Sequence, residues 1–141
     1  MACNSRTADA ESQQPSVPIL GTWELISGTT IQNGDTSYTD YRKTQKMIKV
    51  INETHFAFLK HDLNKGKDSL SAVFDSGAGP YTLSGNQYTE HLEYCNYREW
   101  EGKTFQFTVT VENDTLIQSG LEKVEEAGID RHIIEKYVRI K

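Results

Sequence analysis

Residues 104–113, TFQFTVTVEN, constrain the fold most tightly. Phe105, Phe107, Val109 and Val111 alternate with Thr104, Gln106, Thr108 and Thr110, the period-two pattern of a strand with one apolar and one polar face. Comparable runs recur about every ten residues along the chain: ILGTWELISGTTI around Trp23 and Leu25, KMIKVIN, HFAFLKH, PYTLSGNQYTEHLEY, DTLIQSGL and HIIEKYVRIK. Asn33-Gly34, Ser84-Gly85-Asn86 and Asn113-Asp114 supply tight turns between them. DLNKGKDS reads as a polar loop and LSAVF as a short strand. DSGAGP would break that strand, its glycines forming a bulge or tight turn. Helical periodicity is weak, with single turns fitting TDYRKTQ and LEKVEEAG, and no internal repeat or second domain is visible. The pattern predicts an all-β antiparallel domain of about eight to ten strands. A sheet of this length in a small domain must protect its edges, and closure into an up-and-down barrel does so. An eight-stranded barrel is wide enough to be filled by side chains or to hold one small ligand.

Composition narrows the function classes. The 141 residues suffice for one domain with one core. A net charge of −5 without a Lys/Arg cluster argues against nucleic-acid binding, which needs phosphate neutralisation. No apolar run approaches the ~20 residues of a membrane-spanning helix. Residues 1–18 are polar and predict a disordered tail ahead of a barrel over 19–141. Cys3, followed by a Ser/Gln/Pro-rich tether, resembles the front of a mature bacterial lipoprotein. That resemblance implies a lipid anchor on Cys3 and a bacterial cell envelope or periplasmic location; the alternative is an ordinary cysteine in a cytoplasmic protein. Cys3 and Cys95 make neither an implied disulfide nor a metal framework, and no cofactor or metal motif is present.

Gly21-Thr22-Trp23 resembles the G-x-W signature of lipocalins, and Arg139 resembles the basic residue packed over that tryptophan at the closed end of the barrel. THFAF, GAGPYTLSGNQYTEHLEY, GKTFQFTV and EKYVRIK are similar to segments of small bacterial lipocalin-like proteins of the calycin group. The resemblance covers residues 19–141 and implies a barrel that binds a small apolar or amphipathic molecule. LEKVEEAGIDRH is too short and polar for the helix of long lipocalins, which favours a compact barrel.

Candidate site residues come from residues 87–95, QYTEHLEYC. Alternation places Tyr88, Glu90, Leu92 and Tyr94 on one face, the better candidate for the interior, and Gln87, Thr89, His91, Glu93 and Cys95 on the outer wall. An interior Glu90 needs partners, with Tyr88 and Tyr94 as donors or Arg139 as counter-ion. Tyr137 and Arg139 share a face with Ile133 and Glu135. They resemble the Arg/Tyr carboxylate clamp of fatty-acid-binding proteins, in reversed order and with Glu135 where the Arg would stand. The expected ligand-binding set is Tyr88, Glu90, Tyr94, Phe105, Phe107, Tyr137 and Arg139. The alternative to these roles is an internal Glu90–Arg139 or Glu135–Arg139 ion pair among core tyrosines. A second function class is an enzyme of cyclase or isomerase type, with Glu90 or His91 as acid/base and Tyr94 as donor. His55 and His61 flank FAFLK without metal-ligand spacing and read as edge residues. A third class is an interaction module with no cavity and an exposed apolar patch.

Overall fold

The computed structural model describes residues 16–141. Ten strand segments form one antiparallel sheet: β1 (Gly21–Gln32), β2 (Asp35–Asp40), β3 (Gln45–Ile51), β4 (His55–Asp62), β5 (Phe74–Ser84), β6 (Gln87–Leu92), β7 (Tyr94–Cys95), β8 (Lys103–Glu112), β9 (Thr115–Val124) and β10 (Ile129–Arg139). One edge of β1 pairs with β10; the other pairs with β3 over residues 21–24 and with β2 over residues 27–32. The order β1–β3–β4–β5–β6–β8–β9–β10 therefore returns to β1, and the sheet closes as an eight-stranded antiparallel barrel with β2 extending the β3 position. A register shift between Leu25 and Ser27 lets β1 change partners along its length.

Local chemistry accounts for the hairpins. Asn33 and Gly34 have φ of 52° and 79°, and Asn113 and Asp114 have φ of 50° and 59°. Paired left-handed residues give the turn whose twist matches two antiparallel strands. TDYRKTQ supplies a turn, and Glu125–Ala127 is one 3₁₀ turn, while Leu121 and Val124 belong to β9. Among the described residues no helix is long and apolar enough to cross a membrane.

The expected short strand LSAVF and its interruption by DSGAGP are corrected. Residues 63–73 are turn and loop, and residues 75–80 lie inside β5. The glycines serve close approach instead of a bend. A Cβ on Gly79 would stand 1.8 Å from the His91 carbonyl oxygen, and one on Gly77 would stand 2.6 Å from the Phe58 ring. Pro80 falls in the gap where β5 changes partner from β7, paired at residues 77–78, to β6, paired at 81–84. A missing ladder donor is tolerated at such a gap.

One end of the barrel is shut. Trp23 is fully buried and donates from Nε1 to the Ile19 carbonyl at 2.8 Å. The segment before β1 crosses this end: Val17 N–H bonds to the Gly85 carbonyl, and Arg139 donates to the Pro18 and Leu20 carbonyls. The predicted tail over 1–18 is thus corrected at Val17 and Pro18, which are held by the barrel. Residues 1–15, with Cys3 and its expected lipid, lie outside the described residues.

Candidate functional site

Inward-facing side chains stop short of filling the barrel. They leave a cavity of about 240 Å³ between the Trp23 end and a mouth rimmed by Tyr41, Lys60, Asp75 and Tyr97. Met47, Phe56, Phe58, Leu92, Phe105 and Phe107 form an apolar wall. Lys49, Glu90, Gln118, Glu122, Arg131 and Glu135 bring polar and charged groups into the same lining, beside Leu25, Trp100 and Ile133.

Lys49 is the centre of these polar groups. It is 2% exposed, and its Nζ donates to Glu90 Oε2 at 3.1 Å and to Gln118 Oε1 at 2.8 Å. The rings of Phe56, Tyr88 and Tyr137 surround the ammonium, with centroids 5.8, 5.6 and 5.3 Å away. Tyr88 also donates to Glu90 Oε2 at 3.1 Å. A buried ammonium is tolerable only with such an anion, acceptor and π-face shell. Strands β3, β6 and β9 each supply one member, so the network exists only in the closed barrel.

Two further ion pairs lie toward the mouth. Arg131 meets Glu122 at 2.8 Å across the β9–β10 pairing and lies 5.9 Å over the Trp100 ring. Lys60 meets Asp75 at 2.9 Å. Glu135 differs, because its hydrogen bond comes from the Tyr137 hydroxyl, at 3.2 Å. Burial pushes the Glu135 carboxyl up to about 7 against the pull of Lys49, and Glu122 and Glu90 add to the rise. Burial also raises Glu122, with Arg131 opposing. The Tyr88 and Tyr137 phenols are raised by burial and stay neutral donors. Burial likewise raises the Cys95 thiol.

Tyr88, Glu90, Phe105, Phe107 and Tyr137 meet at the barrel interior. Tyr94 does not, and its predicted inward direction is corrected: it is 62% exposed. β6 ends at Leu92 and β7 restarts at Tyr94; Glu93, outside both strands though its N–H bonds to the Ala78 carbonyl, reverses the alternation and turns Cys95 inward instead. Arg139 is also corrected as a ligand or Glu90/Glu135 partner. Its guanidinium lies 4.2 Å over the Trp23 ring and pairs with Asp114 at 3.1 Å, on the closed end. His91 lies on the outer wall, hydrogen-bonded with Thr104 Oγ1 at 3.0 Å, and does not reach the cavity as an acid/base. His55 and His61 are exposed. Among the described residues no three His, Cys, Asp or Glu side chains converge on a metal position.

Sequence reasoning missed Lys49, Gln118, Glu122 and Arg131. In KMIKVIN, Met47 and Ile51 flank Lys49 on one face while Ile48 and Val50 form the other, so alternation alone does not choose; Val50 is 39% exposed and Lys49 points inward. The signal available was the interruption of Leu116-x-Gln118-x-Gly120-x-Glu122 by polar residues on what had to be one inner face. No protein-family model matches the chain, and no curated protein matches it.

Proposed function

We infer that the protein is a lipocalin-like member of the calycin group that binds a small amphipathic molecule inside its barrel. The observation that carries this reading is the cavity itself, lined by Phe56, Phe58, Phe105 and Phe107 together with hydrogen-bonding groups such as Gln118 and Glu135. Pockets that orient ligands combine an apolar lining with a few placed polar groups. The pairing of Trp23 with Arg139 at the closed end supports the lipocalin-like assignment.

Thr30 lines the cavity and is half-buried, so a bulky side chain there obstructs the space without disturbing the buried network. Native mass spectrometry of the protein after exposure to host extract is expected to show a bound small molecule on the wild type and none on Thr30→Trp. A bare wild-type mass across extracts, together with an unshifted melting temperature, would contradict the reading.

A second reading is acid/base catalysis in the same cavity, and Glu135 favours it. A carboxyl titrating near neutrality beside a phenol is poised to exchange a proton with a bound substrate. That reading requires turnover that disappears in Glu135→Gln while ligand binding persists. The envelope location rests on Cys3; unmodified Cys3 in the soluble fraction of the native host would remove its support.

A further inference from the structure

We propose that the cavity selects a cation, a protonated primary amine on a compact aromatic or apolar body, with Glu135 as its counter-ion. The proposal rests on the ligand-binding reading above and adds the charge of the ligand. Seven charged side chains line the cavity: Lys49, Lys60 and Arg131 against Asp75, Glu90, Glu122 and Glu135. Each cation is already committed, Lys49 to Glu90 at 3.1 Å, Lys60 to Asp75 at 2.9 Å and Arg131 to Glu122 at 2.8 Å. Among the described residues Glu135 is the lining carboxylate without an ion pair, and it has the Tyr137 hydroxyl alone as donor. An anionic ligand would have to displace a formed ion pair; an ammonium meets a carboxylate already desolvated and waiting.

The surroundings of Glu135 favour positive charge. Glu122 from β9 and Glu90 from β6 act on it as like charges, and Lys49 from β3 is the opposing cation. Tyr41 lines the same cavity as Glu135, Arg131 and Glu122 and is a neutral phenol. The paired residues on β1 opposite this part of β10 are Gly28, Thr29 and Thr30, which bring no charge. The apolar wall of Phe105 and Phe107 receives the body of the ligand. The volume of about 240 Å³ lies just below the roughly 300 Å³ at which drug-sized ligand pockets begin, which suits one ring and a short chain. The chain's net charge of −5 attracts a cation at long range.

Binding couples to protonation. Glu135 has a carboxyl poised near neutrality, while an alkylamine stays charged to about pH 10. Amine binding therefore weakens as pH falls below 7, approaching tenfold per pH unit, and releases a proton on association.

The test is calorimetric titration of the full chain with three probes that share a phenylethyl body: 2-phenylethylammonium, neutral 2-phenylethanol and 3-phenylpropionate. The amine is expected to bind at least about tenfold more tightly than either competitor at pH 8. Glu135→Gln should erase that preference while leaving the alcohol unaffected. Circular dichroism confirms that the variant is folded, and Glu135→Asp provides a second carboxylate variant that should retain part of the preference. Equal or tighter binding of the alcohol or the acid overturns the proposal and leaves a ligand-binding barrel standing. Preference retained in Glu135→Gln also overturns it. Failure of all three probes at millimolar concentration overturns the proposal, and if Thr30→Trp and wild type then take up the same molecules from extract, the cavity reading falls with it.

Discussion

At the scale of single residues, the interior turns on how its charges are matched. Lys49 and Glu90 are both buried, so removing one strands the other without its counter-charge. Lys49→Met is expected to lower the unfolding free energy by about 3–5 kcal/mol in urea titrations. Lys49→Met combined with Glu90→Leu should recover most of that loss, since a matched apolar pair avoids the desolvation cost. Glu135 gives a prediction of opposite sign. Its folded-state pKa of about 7 lies above the ordinary value of 4.5, so between those limits the folded state holds more protons than the unfolded state. Its contribution to stability is complete below about pH 4.5 and is lost as pH rises through 7. Glu135→Gln should therefore be the more stable protein at pH 8, by about 2–3 kcal/mol, and should flatten the pH dependence between 5 and 7. Chemical denaturation at several pH values checks both. Tyr88 and Glu90 could be placed inside from alternation alone. Lys49 could not, because a lysine on a strand reads as surface until two other strands are known to bring it an anion and an amide.

At the scale of elements, strand existence followed from periodicity and turns from their residues, while the departures were matters of contact. Asn33-Gly34 and Asn113-Asp114 announce their hairpins because few residues accept positive φ at both central positions. Gly77 and Gly79 look like the same punctuation in the sequence, yet they sit within β5. Only the neighbouring Phe58 ring and His91 carbonyl reveal that space, and not conformation, demanded glycine. Gly79→Ala should accordingly cost about 3 kcal/mol, at the upper end of overpacking penalties, as read from the shift in urea midpoint. Gly34→Asn has free space for its Cβ but keeps a φ of 79°, which strains any side chain, so it should cost about 1 kcal/mol, less than Gly79→Ala because Asn tolerates that region better than most residues. The same reasoning explains Tyr94. One extra residue between β6 and β7, Glu93, reverses alternation, and nothing in the composition of HLEYC marks where that residue falls.

At the scale of the molecule, closure joins the first and last strands, and Arg139 secures the join. It stacks on Trp23, donates to two carbonyls of the crossing segment and pairs with Asp114 between β8 and β9. Arg139→Gln removes the cation–π contact and the charge-assisted bonds together, an expected loss of about 2 kcal/mol. Hydrogen exchange should locate the effect: the amides of Arg139 and Ile140, bonded to the Asp114 and Thr22 carbonyls, should lose protection before those of β4 and β5. Uniform loss across all strands would instead mean that closure opens only with global unfolding.

Alternation and turn chemistry are local, and the chain alone therefore determined an all-β antiparallel fold, its Asn33-Gly34 and Asn113-Asp114 hairpins and the inward direction of Tyr88, Glu90, Phe105 and Phe107; the stacking of Arg139 on Trp23 was implied only by the resemblance to lipocalins, and the facing of Tyr137 stayed open because Ile134, Val138 and Ile140 make the other side of its strand equally apolar. Which charges meet across the barrel is not local. Lys49 reaches Glu90 over 41 residues and Gln118 over 69, and a pairing at that separation depends on strand register and on the twist that closes the sheet. Tertiary structure thus decided that charged side chains pair within the barrel, that Glu135 is left without a cation, and that Tyr94 faces water.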